Sequence, residues 1–270
     1  MKNFSEKIFR KIALGIEILL MIAMVLTASA CESAEEEETV KDRLGQATGI
    51  PSIGVGRQRR ETADQTGKGF TICIDPGHGF DDAGASSSYV ADCDEKDLTL
   101  RYATDLKSEL EKMGYTIILT HDGSVFPRTS ADDGNNKFNP NERSAYANTL
   151  DIDYYVSLHC DSFEDESIGG TRIYYCEAAK KVDDYSADVA NAIKMQLSKA
   201  FPEDGEIKIH NMDPAEAYAV IRETYAAASL IEIGFITNAN DAARIQDAEW
   251  QEDFVEAVAA GINDYFATLG

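Results

Sequence analysis

From residue 69 onward, short apolar runs alternate with longer segments in which apolar residues recur every three or four positions. Short apolar runs are typical of buried strands, and the longer period is typical of amphipathic helices. In the clearest helix, Leu98, Tyr102, Leu106 and Leu110 share one face, and Gly114 stands where a C-terminal cap glycine belongs. Strands are predicted over residues 70–75, 115–120, 154–159, 170–175, 218–221 and 229–233. Helices are predicted over residues 95–112, 141–150, 186–200, 241–245 and 251–266.

This alternation of strands and helices predicts an α/β fold. We expect a central mixed, mostly parallel sheet with helices on both faces, in a single domain over residues 69–270. In such sheets, binding sites form beyond the ends of the strands. Residues that directly follow a predicted strand are therefore the first candidates for chemistry.

The N-terminus has the pattern of an export signal. Four basic residues precede the apolar run 18–26, and the sequence Ala-Ser-Ala at 28–30 offers a cleavage site with small residues. Residues 1–30 are therefore predicted to be a signal peptide. The alternative is an uncleaved membrane anchor, which would carry Glu17 into the lipid.

Cys31 directly follows the predicted cleavage site. A small-residue run that ends in Cys resembles a bacterial lipobox, although Ala28 stands in place of the usual Leu. The pattern predicts a lipoprotein held at the outer face of the membrane, and ordinary secretion is the alternative. Residues 31–68 carry many glycines and a run of glutamates, so we expect a lipidated or free N-terminus followed by a flexible linker.

The chain is strongly acidic. It has 270 residues with 25 Lys and Arg against 48 Asp and Glu, a net charge of −23. Without residues 1–30 the counts are 21 and 46, a net charge of −25. This balance argues against a nucleic acid partner and against electrostatic binding to anionic lipid, so membrane contact is expected only through the N-terminal lipid or anchor. The spacings of Cys73, Cys93, Cys160 and Cys176 match no compact disulfide framework, which predicts free and mostly buried thiols.

Two of the four histidines stand at the ends of predicted strands. His78 lies in the sequence Asp75-Pro-Gly-His-Gly after the first strand, and His159 ends the third strand. Two imidazoles at one sheet edge predict a zinc pair, although either one alone would more often be a hydrogen-bonded loop or core histidine. His121 ends the second strand and is a candidate for substrate contact. His210 is predicted to be a plain surface histidine.

Two glutamates are candidates for the remaining chemistry. Glu95 begins the first helix and could complete a zinc site, although acids are common at helix N-termini because of the helix dipole. Cys93, two residues earlier, is a rival ligand. Glu232 lies in an apolar strand, where a glutamate is costly unless it is paired or near a metal. A buried carboxylate of this kind is a candidate general base.

Four motifs that contain these residues occur in one order along the chain. They are Asp75-Pro-Gly-His-Gly, Glu95-Lys-Asp, Val156-Ser-Leu-His and Glu232-Ile-Gly-Phe-Ile-Thr-Asn. In order and separation they resemble the motifs of the zinc-dependent N-acetylmuramoyl-L-alanine amidases of the amidase-3 type, over residues 69–268. The resemblance implies that His78, Glu95 and His159 bind Zn²⁺ and that Glu232 is the catalytic glutamate.

The resemblance also implies an activity and a location. Members of this family hydrolyse peptidoglycan at the amide between N-acetylmuramic acid and L-alanine of the stem peptide. Zinc activates the attacking water and the glutamate acts as general base. We therefore expect an extracytoplasmic enzyme of the cell envelope that acts as a monomer on peptidoglycan.

The chain departs from the family pattern at three places. Phe80 replaces a second glycine, His121 replaces an arginine, and the Cys-Asp-Ser sequence at 160–162 replaces a sequence ending in Asn-Ala. These changes leave all four proposed residues in place but alter the rim of the site, so they affect substrate preference more than activity. Arg143 and Asn148 match a family stretch whose role is structural.

Two other functions stay open. A zinc carboxypeptidase has similar ligands but needs a cation to hold the C-terminal carboxylate of its substrate, for which Arg222 is the obvious candidate. An inactive relative that binds peptidoglycan as a scaffold would have lost a zinc ligand or the glutamate, and this chain has all four.

Overall fold

The computed structural model describes residues 69–91, 93–125, 137–177, 181, 184–202, 207–214 and 216–269. The predicted signal peptide and linker, residues 1–68, lie outside this part of the chain. Within the described residues, no helix is both long and apolar enough to cross a membrane.

Six strands form one mixed sheet in which four of the five neighbouring pairs are parallel. The strands are β1 (Thr71–Pro76), β2 (Thr116–Leu119), β3 (Tyr154–Asp161), β4 (Arg172–Tyr175), β5 (Lys208–Asn211) and β6 (Ala227–Phe235). Their order across the sheet is β2-β1-β3-β6-β4-β5, and β4 and β5 run opposite to the other four strands. The predicted mixed, mostly parallel sheet is confirmed.

Helices cover both faces of this sheet, as predicted. They are α1 (Glu95–Lys112), α2 (Pro140–Ala147), α3 (Ser186–Ala200), α4 (Ala219–Arg222), α5 (Ala239–Gln246) and α6 (Ala248–Phe266). Side chains at the N-termini fix where several of them begin. The side chain of Asn139 accepts hydrogen bonds from two backbone N–H groups in the first turn of α2, and Asn238 does the same for α5.

The larger core lies between the sheet and helices α1, α3 and α6. Tyr102 and Leu106 of α1 are fully buried there with Ile193 of α3 and Phe254 of α6. These side chains recur at helical spacing, which is why the sequence pattern identified these three helices correctly. Each such side chain contributes about 1.5–3 kcal/mol to folding by leaving water.

A smaller core lies on the opposite face, under α2 and α4. It contains Tyr155 of β3 and Leu230 of β6 together with Val220 and Ile221 of α4. The prediction of a strand over residues 218–221 is wrong, because this run forms the helix α4. A short apolar run does not distinguish the two structures by periodicity, and both edges of β6 are already paired, with β3 and β4.

Strand β5 was not predicted, because it contains Lys208, His210 and Asn211 and lacks an apolar pattern. It lies at the edge of the sheet and pairs only with β4, so a polar sequence is tolerated there. The prediction of free thiols is confirmed within the described part of the chain, where Cys73, Cys93, Cys160 and Cys176 are all free and buried.

Candidate metal centre

The structure brings His78, Glu95 and His159 together at the edge where the parallel strands end. His78 follows β1, His159 lies near the end of β3, and Glu95 is the first residue of α1. The Glu95 carboxylate lies between the two rings, with Oε2 3.2 Å from Nε2 of His78 and Oε1 3.0 Å from Nδ1 of His159. The ring centroids are 4.9 Å apart.

Glu95 is buried, with 3% of its surface exposed, and is held by four partners. Besides the two imidazoles, it accepts hydrogen bonds from the backbone N–H of Ala85 at 2.9 Å and of Cys160 at 3.0 Å. Burial alone would raise the pKa of Glu95, but the hydrogen bonds and charges of His159 and His78 lower it far below its usual range. The carboxylate is therefore ionised at any physiological pH.

Asp82 orients the imidazole of His78, and sequence reasoning missed it. Its carboxylate lies 3.0 Å from Nδ1 of His78, which leaves Nε2 directed at Glu95. Burial alone would lower the pKa of His78, but Glu95 and Asp82 raise it above its usual value. A carboxylate behind a histidine ligand is a recurrent feature of metal sites. The only sequence signal was an acid four residues after the histidine, which is too weak to use alone.

This donor set fits a zinc ion. One ligand atom from each of the three side chains lies within 4.8 Å of the others, and in the described part of the chain this is the one such group of metal-binding side chains. Two imidazoles and one carboxylate are a ligand set of catalytic zinc sites, which keep a further position open for water or substrate. Because Nδ1 of His78 donates to Asp82, its Nε2 has the lone pair that a metal ligand requires.

The loop that carries His78 has an unusual backbone. His78 has φ of 61° and Phe80 has φ of 58°, in the left-handed region that non-glycine residues rarely occupy. Two glycines in this region leave room for the metal-binding side chains. A side chain at Gly77 would collide with the His159 ring at 2.4 Å, and one at Gly84 would collide with the Glu95 carboxylate at 2.6 Å. The side chains of His159 and Glu95 are therefore packed directly against the glycine backbone.

Side-chain donors from other elements hold this loop by its carbonyl groups. Thr99 of α1 donates to Gly77 at 2.7 Å, and Lys96 of the same helix donates to Phe80 at 3.0 Å. The backbone that presents His78 is therefore fixed by the same helix that supplies Glu95. Such external contacts are needed to keep residues in a strained conformation.

Arg143 of α2 holds the same loop from the opposite side. Its guanidinium donates to the carbonyls of Pro76, at 2.6 Å, and of His78, and it pairs with the buried carboxylate of Asp75 at 2.8 Å. Burial alone would raise the pKa of Asp75, but Arg143 and two hydroxyl donors lower it below its usual value. Asn148 bonds to the backbone on both sides of residue 224, which links α2 to the start of β6. These contacts agree with the structural role inferred for both residues.

His121 does not line the site, contrary to its candidacy for substrate contact. It is 4% exposed, its Nε2 donates to the Pro76 carbonyl at 2.9 Å, and its Nδ1 accepts from the backbone N–H of Gly123. With both nitrogens in use, His121 supports the His78 loop. Cys93 is buried and lies outside the metal-binding group.

His210 is not the plain surface histidine that was predicted. It belongs to β5 and stacks on the ring of Tyr174 in β4, with centroids 4.9 Å apart. Its Nε2 is buried and has no hydrogen-bond partner among the residues that the structure describes. No sequence pattern indicated this stacking, because β5 itself was not predicted.

Glu232 is buried on β6 beside the metal-binding group. It is 6% exposed, is in register with His159 on β3, and its Oε2 has no hydrogen-bond partner among the described residues. Burial raises the pKa of Glu232 well above its usual value, Asp161 and Glu95 raise it further, and Arg172 opposes them. A buried carboxylate oxygen without a partner needs an explanation, and proton transfer to a bound substrate is one.

Comparison with known proteins agrees with this geometry. A family model described as N-acetylmuramoyl-L-alanine amidase matches residues 72–264. Curated relatives include proteins named probable cell wall amidase LytH from Staphylococcus epidermidis and Staphylococcus aureus, which are 28% identical over 201 and 200 residues. These matches cover 74% of this chain and 60% of each relative. The chain thus spans less than two thirds of the length of those relatives.

Solved structures with the same fold are also amidases. An N-acetylmuramoyl-L-alanine amidase from Clostridium difficile 630 is 25% identical with a TM-score of 0.62, over 74% of this chain and 98% of that one. The catalytic domain of CwlV, the amidase from Bacillus (Paenibacillus) polymyxa var. colistinus, is 26% identical with a TM-score of 0.59, over 73% and 98%. With the family match over most of its length, this chain belongs to the N-acetylmuramoyl-L-alanine amidase family.

Proposed function

We propose that this protein hydrolyses peptidoglycan at the amide bond between the lactyl group of N-acetylmuramic acid and L-alanine of the stem peptide. The observation that carries the proposal is the convergence of His78, Glu95 and His159 at one sheet edge. Glu232 is in register with His159, and its Oε2 has no hydrogen-bond partner among the described residues. Membership of the amidase family supports the reaction, and the relatives named as cell wall amidases support the substrate class.

In this proposal the chain's own residues position the metal and move the proton. His78, Glu95 and His159 would hold Zn²⁺, and Asp82 would fix the tautomer of His78. A bound Zn²⁺ would supply Lewis acidity, which polarises the scissile carbonyl and lowers the pKa of water and of nearby carboxyl groups. Glu232 takes a proton from the attacking water and passes it to the leaving nitrogen of L-alanine. One carboxylate serves both transfers because they occur in sequence.

The contacts of Arg222 give no support to the carboxypeptidase alternative. Its Nε pairs with Glu223 at 2.7 Å and its Nη1 donates to the Ala217 carbonyl at 2.6 Å. The guanidinium proposed to anchor a C-terminal carboxylate is therefore already engaged by two groups that flank α4.

Digestion of purified peptidoglycan tests the reaction directly. We expect mass spectrometry to show free stem peptides that begin with L-alanine, together with glycan strands that have lost them. Release of single amino acids from the C-terminus of the stem would instead establish a carboxypeptidase. Sedimentation with the wall without any released product would establish a binding protein.

We predict one tightly bound zinc ion per chain. His78→Ala and His159→Ala should each remove the metal, because two ligands alone hold zinc weakly. Elemental analysis of purified protein measures this directly. His210→Ala is the matched control and should keep its zinc, since His210 lies on β5 outside the metal-binding group. Wild-type protein that contains no zinc and gains no activity from added zinc would contradict the proposal.

We further propose that the protein works outside the cytoplasm, tethered through Cys31. The support is the export pattern of residues 1–30 and the cysteine that follows it. Cys31→Ser should abolish lipidation and shift the protein from the membrane fraction to the soluble fraction, measured by fractionation and mass spectrometry of the mature N-terminus. Unchanged membrane association with an uncleaved N-terminus would favour the anchor.

A further inference from the structure

A row of ionisable side chains crosses the sheet from the metal-binding group to the edge. His159 on β3 is in register with Glu232 on β6, Glu232 with Arg172 on β4, and Arg172 with Lys208 on β5. Residues in register on neighbouring strands project from the same face of a sheet. Two cations therefore continue the line that begins with a proposed zinc ligand and the proposed base.

These two cations also lie at the same end of the sheet as the site. Strands β4 and β5 run opposite to β3 and β6, and Arg172 and Lys208 are the first residues of their strands. They therefore start at the edge where β1, β3 and β6 end. The guanidinium of Arg172 extends toward that edge, since its Cζ lies 4.4 Å from the ring centroid of Phe235, the last residue of β6.

Two polar neighbours, Asp161 and the hydroxyl group of Tyr174, engage only part of the Arg172 guanidinium. Its Nη1 makes a long ion pair of 3.3 Å with Asp161, whereas charge-assisted hydrogen bonds of this type are commonly about 2.7–2.9 Å. Its Nε has no hydrogen-bond partner among the described residues, although the atom is buried. The side chain is 21% exposed, so a ligand can reach it. A guanidinium has five N–H donors in a planar fork that matches a carboxylate.

Lys208 is exposed, and the described residues supply no ion-pair partner for it. His210, two positions further along β5, projects from the same face as Lys208 and Arg172. Its pKa is lowered first by burial and then by the charges of these two cations. In a chain with 48 acidic and 25 basic residues, two adjacent cations in the same row as Glu232 are unusual. A cationic surface next to the reacting atoms selects an anionic group on the substrate.

We propose that Arg172 and Lys208 form a subsite for a free carboxylate of the stem peptide, on the side of the leaving amine. The inference rests on the proposed function and deepens it by naming a preferred substrate class. The second residue of the stem is a D-glutamate linked through its side chain, so its α-carboxyl group is either free or amidated. One peptide residue spans about 3.5 Å, and neighbouring strands lie about 4.8 Å apart. A carboxylate one residue beyond L-alanine therefore reaches the position of Arg172, one strand from Glu232.

Two matched substrates test this subsite. They are N-acetylmuramoyl-L-Ala-γ-D-Glu-L-Lys and the same molecule with the glutamate α-carboxyl group amidated. We expect wild-type enzyme to favour the free acid by about tenfold in kcat/KM, mainly through KM, because a hydrogen bond to a charged group has about that worth. Arg172→Gln and Lys208→Gln should each reduce this ratio toward one, and Arg172→Lys should restore part of it. Lys199→Gln removes the same charge on α3, on the other face of the sheet, and should leave the ratio unchanged.

Equilibrium binding separates failure of the subsite from failure of the proposed reaction. The probes are the tripeptides L-Ala-γ-D-Glu-L-Lys and its α-amide, titrated calorimetrically into the zinc-loaded protein. The Lys208→Gln variant changes an exposed residue and should fold normally. If wild-type protein binds the acid more tightly than the amide and this variant does not, the subsite is supported even if no turnover is seen. Equal affinities or rates for acid and amide, binding of neither tripeptide, or a preference that survives both substitutions would overturn it. Absence of turnover combined with a preference in binding would overturn the proposed reaction alone.

Discussion

Glu232→Gln should retain zinc and lose turnover by about 10²–10⁴-fold, the usual effect of removing a general base. The amide keeps the size of the side chain, and Oε2 of Glu232 has no hydrogen-bond partner among the described residues, so folding should be little affected. Burial, Asp161 and Glu95 all raise the pKa of Glu232, so a neutral side chain is compatible with these surroundings. Rates on a soluble muropeptide and zinc content by elemental analysis measure the two effects separately.

Glu95→Gln is the matched control, because it makes the same chemical change in a residue with a different proposed role. Glu95 contacts both histidines and two backbone N–H groups, so the neutral amide should weaken the metal site itself. Loss of zinc from Glu232→Gln as readily as from Glu95→Gln would mean that the two roles are reversed. Retention of more than about a tenth of wild-type activity by Glu232→Gln, against the range expected for a base, would make Glu232 a structural residue.

The sequence was sufficient to predict the α/β fold and to select the residues that meet at the sheet edge. Strong helical periodicity identified α1, α3 and α6, because their apolar faces are wide and buried. His78 and His159 were identified because each follows or ends an apolar strand, and the ends of parallel strands meet at one edge. Glu95 needed the resemblance to known amidases, since an acid at a helix N-terminus is common for other reasons.

The features that the sequence did not predict depend on the register and the direction of the strands. Arg172 lies beside Glu232 only because β4 pairs antiparallel with β6, and Lys208 lies beside Arg172 only because β5 exists at all. His121 ends a strand as His78 does, but its ring turns under the loop and donates to the Pro76 carbonyl. Strand ends thus give the neighbourhood of a side chain, while local hydrogen bonds decide which way it points.

Asp75→Asn should lower the free energy of unfolding by about 3–5 kcal/mol, because it leaves a buried cation without its counter-charge. Asp75 is fully buried and pairs with Arg143, which is 3% exposed. For a domain of this size each kcal/mol corresponds to about 2–4 °C in Tm, so thermal unfolding should shift by roughly 10 °C. Zinc affinity should also fall, since Arg143 holds the carbonyls of Pro76 and His78.

A control substitution in an exposed ion pair and the pH dependence of stability separate the loss of the buried Asp75–Arg143 pair from a general loss of charge. Glu111→Gln breaks the exposed pair of Lys107 and Glu111 and should cost no more than about 1 kcal/mol. The pKa of Asp75 is lowered in the folded state, so its ionised form stabilises the fold above the unfolded pKa of about 3.9 and this contribution is lost as the pH falls through the folded value. The difference in stability between wild type and Asp75→Asn should therefore be largest near neutral pH and shrink in acid. A difference that is equally large in strong acid would show that packing of the carboxyl group, and not its charge, stabilises the loop that carries His78.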